Sequence, residues 1–504
     1  MPRNPSNPGT RPRLFAVVFV NRFPDNQLLS HRVEAEFALI PCRSARPHAT
    51  RLNNATQPVR RNLLWGWHIA AVVALVLFIG TTAPKHALPW GWTAAWCVAA
   101  ATLAAAPLFP VIGLAVFVIL AYGMPRYGTE FLTLLQLRIL DAVSLLALAG
   151  WLIWARRARR TPRLRHWLIT LMLAFTGWIV LTSVIALAGG AHWEPFSRHH
   201  PTAFASALVM FLVAAHVLGD KQASWQFALA LCLALLARAL VQGTSGLDLE
   251  NDIAPLLVVS LPLALMGAWV VPQPKLRILF LALAVAMVGV VGLTHNRAAA
   301  VAGAVMLIVL VWHLRRRWRM LALGLLVVAA VVLVSSQGKY WQRFRALWDS
   351  QAIHATAQLD RATAEARLEL WDAGLRIALD KPIVGVGPGN YPLVVGSYAR
   401  GKDNLVAHNS YLNMAAETGF PGAALYIALF VGACWLSARV ARRARNTWPG
   451  PGARTLQASL VAYLVVGMFI SRHDMVLAYL LAGWAVALAR QSPTPSGGTQ
   501  GAAR

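Results

Sequence analysis

A histidine, an asparagine and a carboxylate stand together in HNSYLNMAAETGFPG, residues 408–422, between a long polar segment and an apolar run. His408 is the side chain best able to take up a proton near neutral pH. A lone histidine is more often a cap or a surface residue. Here Asn409 beside it and Glu417 two to three helical turns on argue for more. Glu417 is expected to orient the helix by bonding backbone or a neighbouring arginine. Arg367, in RATAEARLELWDAGLRIAL (361–379), is either an ordinary solvated arginine or an anion clamp, because a guanidinium fork matches phosphate oxygens. Arg297 lies in GLTHNRAAA (292–300), a very short hinge between apolar runs, with His295 and Asn296 alongside. Charges at membrane depth are expensive and mark function, although a snorkelling anchor explains such an arginine equally well. The clusters AHWEPFSRHH (191–200) and SRHD (471–474) add Arg198, His199, Arg472 and Asp474 as supporting pocket candidates. DLEND (248–252) has carboxylates that suit a hard cation, but a solvated loop is the plainer reading and no metal ligand is assigned. No Walker, GxSxG or HExxH motif is present, and GVGPGN (385–390) follows no strand, so ATP is not the expected energy source.

The elements that must carry these residues are membrane helices. The chain has 504 residues, of which 58% are hydrophobic and 13% charged. A soluble protein would sit nearer ~45–50% apolar. Apolar blocks fall at 63–82, 89–106, 110–124, 139–155, 167–189, 201–218, 224–242, 254–271, 276–294, 298–313, 320–335, 422–438, 455–471 and 475–489. A span needs ~20 residues, so the count is about twelve to fourteen if some short blocks are re-entrant. The formal charge of +27 suggests nucleic acid in a soluble protein. Here it is carried by short loops: RRARRTPRLRH (156–166), RRRWR (315–319) and the arginines at 439–445. Such loops stay cytoplasmic, and the parity of fourteen spans puts them on one side with both termini. The long 336–421 segment then lies outside, and no nucleic-acid partner is expected.

Residues 1–57 read as a poorly ordered cytoplasmic tail, because LFAVVFV (14–20) is too short to span. Residues 58–335 form an N-terminal bundle, 422–490 the C-terminal spans, and 491–504 a flexible end. Of the four cysteines, Cys42 lies in the tail and Cys97, Cys232 and Cys434 lie in apolar blocks, so no external disulfide is visible. Within the external segment, Leu368, Trp371, Leu375 and Leu379 recur at helical spacing as one apolar stripe. Arg367 is expected on the side away from most of it. That helix stops at Lys381-Pro382, GVGPGN makes a tight turn, and Asn409 or Ser410 caps a second helix that breaks at Gly419-Phe420-Pro421-Gly422. The segment is expected to be a helical lid over the membrane surface.

The order LTHNRAAA, then ARLELWDAGLRIALDKPIVGVGPGNY, then AHNSYLNMAAETGFPGAALY resembles the bacterial O-antigen ligase and polymerase superfamily, closely over roughly 250–440. The resemblance implies an all-α membrane glycosyltransferase with a GT-C-like fold and a periplasmic site. The donor it implies is an undecaprenyl-pyrophosphate-linked O-antigen, and the acceptor is lipid A–core. Position by position, the family's histidine falls on His408, its lid arginine on Arg367 and its hinge arginine on Arg297. No cofactor is implied, because the donor is already activated and the arginine pair can stand in for a metal. The chain carries about two more apolar blocks ahead of the hinge than the simplest relatives need. A protein O-oligosaccharyltransferase or an O-antigen polymerase shares the motif. A flippase, from another class, needs polar residues along a through-path, whereas here they gather on one face.

Overall fold

The computed structural model describes residues 110–123, 130–159, 161–190, 201–242, 253–294, 296–313 and 350–492. All of them fall within one compact unit, Arg61–Arg504. The apolar blocks at 63–82, 89–106 and 320–335 lie outside the described residues, as do the N-terminal tail, DLEND, Arg198, His199 and His295.

Among the described residues there are only helices, and no strand. In chain order they are α1 Val111–Val118, which runs into a π-turn Ile119–Gly123, α2 Glu130–Arg157, α3 Trp167–Ala188, α4 Thr202–Val217, α5 Lys221–Gln242, α6 Ala254–Val270 and α7 Pro274–Thr294. After these come α8 Arg297–His313, α9 Ser350–Asp380, α10 Tyr391–Tyr398, α11 Ser410–Arg443, α12 Pro449–Val466 and α13 Val476–Gln491. Trp167–Ala188, Lys221–Leu240, Pro274–Thr294 and Ser410–Arg443 are long and apolar enough to cross a membrane, and five shorter apolar helices accompany them. Apolar side chains also face outward, among them Val180, Val184 and Leu187 on α3 and Ile278 and Val285 on α7. Water does not tolerate such continuous apolar faces; hydrocarbon does. The protein is an all-α multi-pass membrane protein.

Long-range hydrogen bonds assign the loops to two ends of the bundle. At one end Arg490 donates to the carbonyls of Ala215 and Arg163, and Trp448 Nε1 donates to Gly219 O at 3.0 Å. His313, the last residue of α8, meets Gln457 midway along α12 at 2.7 Å. The arginine-rich loops at 156–166 and 439–445 therefore share this end. At the other end the 467–474 loop meets the start of α11. Between the two ends lies an aromatic core in which Phe430 packs on Tyr426, Tyr463 and Tyr479, with Phe175 stacked on Tyr479.

The break expected at 419–422 is present as a kink where two helical stretches of α11 meet. α11 runs for 34 residues through a kink at Gly419, whose φ of 71° and ψ of 176° are not helical. The carbonyls freed by the kink are all taken up. Val386 N donates to Ala416 O at 3.0 Å, Gly387 N to Glu417 O at 2.8 Å, and Trp178 Nε1 to Thr418 O at 2.8 Å. The glycine-rich turn thus serves as a clip on a helix end. A Cβ on Gly419 would stand 2.1 Å from Ile383 O. Gly419→Ala is therefore expected to cost at least about 1–3 kcal/mol from the backbone conformation alone. A thermal melt in detergent measures it, and an unchanged melting temperature would contradict the clip.

Candidate active site

His408 begins from its backbone. Its φ is +51°, a left-handed conformation that few residues other than glycine adopt. Strain of that kind persists only where neighbours hold it. Here both do. Ala407 N donates to Asn413 Oδ1 at 3.3 Å, and Ala407 O accepts from Trp371 Nε1 at 2.8 Å. On the other side Asn409 N donates to Ser471 Oγ at 3.2 Å. Asn409 is the helix cap, its Oδ1 accepting from Tyr411 N at 3.0 Å and Leu412 N at 3.1 Å. Ser410 stitches α11 to the 467–474 loop: its N donates to Gly467 O at 2.7 Å, its Oγ to Ile470 O at 2.6 Å, and Arg472 N donates to that Oγ at 2.9 Å.

The Trp371 bond does more than hold a loop. Arg367 precedes Trp371 by one helical turn, so both occupy one side of α9. The exposed Arg367 guanidinium acts on His408 through space. Partial burial first, and then that positive charge, hold the His408 imidazole below its ordinary value. It therefore stays neutral, with a lone pair to accept a proton. No carboxylate among the described residues pairs with Arg367. The expectation that Arg367 points away from the stripe is corrected: it shares a side with Trp371, because Trp371 turns inward to Ala407.

The stripe itself is also corrected. Leu370, Ala373, Ile377 and Ala378 form the buried face of α9, the first three packing with Tyr391, Val395, Ala407 and Ala416 and Ala378 with the main core. Leu368, Leu375 and Leu379 are 60%, 47% and 59% exposed. Both faces are apolar, and the smaller side chains fit the close approach to α11.

Glu417 bonds neither backbone nor arginine through its carboxylate. Its Oε1 accepts from Asn413 Nδ2 at 2.8 Å, and its Oε2 lies 3.2 Å from His473 Nε2, with the two side chains 0% and 1% exposed. Burial alone would keep His473 neutral, but the Glu417 carboxylate outweighs it and raises the imidazole above its ordinary value. Ser471 Oγ donates to Asn413 Oδ1 at 3.2 Å, so the pair belongs to the same network that holds Ala407 and Asn409. From below, Tyr463 OH donates to Arg472 O at 3.1 Å and Tyr479 OH to His473 O at 2.7 Å. His473, Asn413 and Ser471 were not among the sequence candidates. The signal was there: Asn413 and Glu417 are four apart on one helix, and His473 sits inside SRHD between Arg472 and Asp474.

Arg472 and Asp474 are half-buried in this loop. Asn296 Oδ1 accepts from Ala299 N at 2.7 Å and caps α8. Arg297 is the first residue of α8, and its side chain lies outside the described residues. Residues 282–427 match the family model described as O-Antigen ligase. This part of the chain is similar to the O-antigen ligase family. The matched O-antigen ligase segment contains Arg297, Arg367, His408 and Glu417, whereas His473, the partner of Glu417, lies beyond it. A search of curated proteins finds no match to the chain.

Proposed function

We propose that the protein is an O-antigen ligase of the inner membrane, moving the O-antigen glycan from undecaprenyl pyrophosphate to lipid A–core on the periplasmic side. The observation that carries this reading is the meeting of Arg367 and His408 through the Trp371–Ala407 bond. A neutral imidazole beside a guanidinium that pairs with no carboxylate among the described residues suits a reaction in which a hydroxyl loses a proton while a diphosphate departs. His408 takes the proton from the acceptor hydroxyl as that oxygen attacks the anomeric carbon. The bond from that carbon to the pyrophosphate oxygen breaks, and its electron pair leaves on undecaprenyl pyrophosphate. Arg367 stabilises the developing charge, with Arg297 as its proposed second clamp, because fixed cations need no reorganisation as the charge forms. Direct displacement inverts the anomeric centre. The arginine-rich loops at the far end of the bundle support a cytoplasmic assignment for that end.

The test is reconstitution of the purified protein with undecaprenyl-pyrophosphate glycan and lipid A–core. Product is expected with EDTA present as well as without it, and its loss in EDTA would overturn the metal-independent mechanism. The pH profile adds a sharper check. The base works only when neutral, so activity falls as pH drops through the His408 value. That value is held below 6.5, so the acid limb lies below 6.5. Arg367→Gln removes one of the two causes of the lowering, so besides slowing the reaction it moves the acid limb to higher pH. An unmoved limb would separate Arg367 from His408.

A further inference from the structure

We propose that the outward face of α9, from Leu368 to Leu379, is immersed in the hydrocarbon of the bilayer half that carries the site, so that the lid is a membrane-embedded helix and not a cover standing in water. Bonds at Trp371 and just past the C-terminal end of α9 set the height of its last turns. Trp371 Nε1 donates to Ala407 O, and Phe420 N donates to Pro382 O at 2.8 Å. α9 therefore runs alongside the first part of α11, and Leu375 and Leu379 lie between the levels of residues 407 and 420. The depth of the lower level comes from α3. Thr418 O is bonded to Trp178, ten residues before the last residue of α3, Ala188. At 1.5 Å per residue that is about 15 Å below the end of a membrane-spanning helix. Over this same height α3 turns Val180, Leu181, Val184 and Leu187 outward, and those side chains face lipid.

The occupant follows from continuity. Below the kink, Phe420, Ile427, Val431 and Trp435 face outward on the spanning part of α11. Phe420 is bonded to Pro382, next to the exposed Ile383, from which the surface passes to Leu379, Leu375 and Leu368. One apolar band thus rises from the lipid face of a span to the residue beside Arg367. Along its edge run Glu365, Glu369, Asp372, Arg376 and Asp380. Several of these are tied to one another or to the lid: Arg376 to Asp372 at 2.6 Å, Lys402 to Glu369 at 3.2 Å, and Tyr398 OH to Asp380 at 2.7 Å. An apolar strip bordered by a charged one is the pattern of a helix lying in a lipid interface. The inference concerns the lid's position and stands whether or not the proposed reaction is correct.

Spin labels test it directly. Leu375→Cys, Leu379→Cys and, as an edge reference, Glu365→Cys are labelled in the full chain after its four native cysteines are replaced, and the protein is placed in lipid nanodiscs. Labels at 375 and 379 are expected to collide more with dissolved oxygen than with a water-soluble nickel complex, and the label at 365 the reverse. Nickel accessibility at 375 and 379 equal to that at 365 would overturn the proposal in favour of a lid in water. Exclusion of both reagents would overturn it in favour of a protein covering, with spin–spin broadening identifying a second copy of the chain as that covering.

Discussion

His408→Ala is expected to lower the rate of ligation by ~10²–10⁴-fold, the usual contribution of a positioned general base. The variant should insert and fold, because among the described residues the His408 side chain makes no hydrogen bond in the network around it; the anchors are the backbone atoms of Ala407 and Asn409. Removing the side chain also leaves Arg367 and the diphosphate interaction in place, so donor binding should persist while turnover is lost. Reconstituted ligation followed by gel, alongside a thermal melt, separates the two effects. Full-length lipopolysaccharide at the wild-type rate would remove His408 from the mechanism.

Glu417→Ala should be the most destabilising of the site-region changes, by about 3–5 kcal/mol, the cost of leaving one member of a buried pair without the other. Its carboxylate meets Asn413 and His473 with no water access on either side. The loss should reach the active site through Asn413 and Ser471, which hold Ala407 and Asn409. His473→Ala is expected to resemble it, and the double variant should cost much less than the sum, because the second removal takes away a charge already orphaned. Additive losses would mean the two residues act independently. The pair also carries a pH dependence. His473 is raised above its ordinary 6.5 in the folded state. Its contribution is therefore complete below 6.5 and is lost as pH rises through the raised value. The wild-type melting temperature should fall on that alkaline side, and Glu417→Ala should flatten the fall.

Local signals in the chain were enough for its class and much of its external segment. Uncharged runs of about twenty residues have only one stable environment. Pro382 cannot continue a helix, and α9 ends at Asp380; Asn409 can close the open N–H groups of a helix, and α11 begins at Ser410. His408 and Arg367 were singled out from residue type and from the resemblance of their motifs, and the structure brings the Arg367 charge to bear on His408. What the tertiary structure alone decided was direction and partnership. The spacing of Leu368, Trp371, Leu375 and Leu379 identifies an apolar face of α9, but α9 has two, and periodicity does not say which meets protein when lipid is available to the other. Likewise nothing near Glu417 in the chain announces His473. Their pairing exists because the start of α11 and the loop after α12 arrive at the same end of the bundle, and a carboxylate buried there is stable only with a cation brought from elsewhere in the chain.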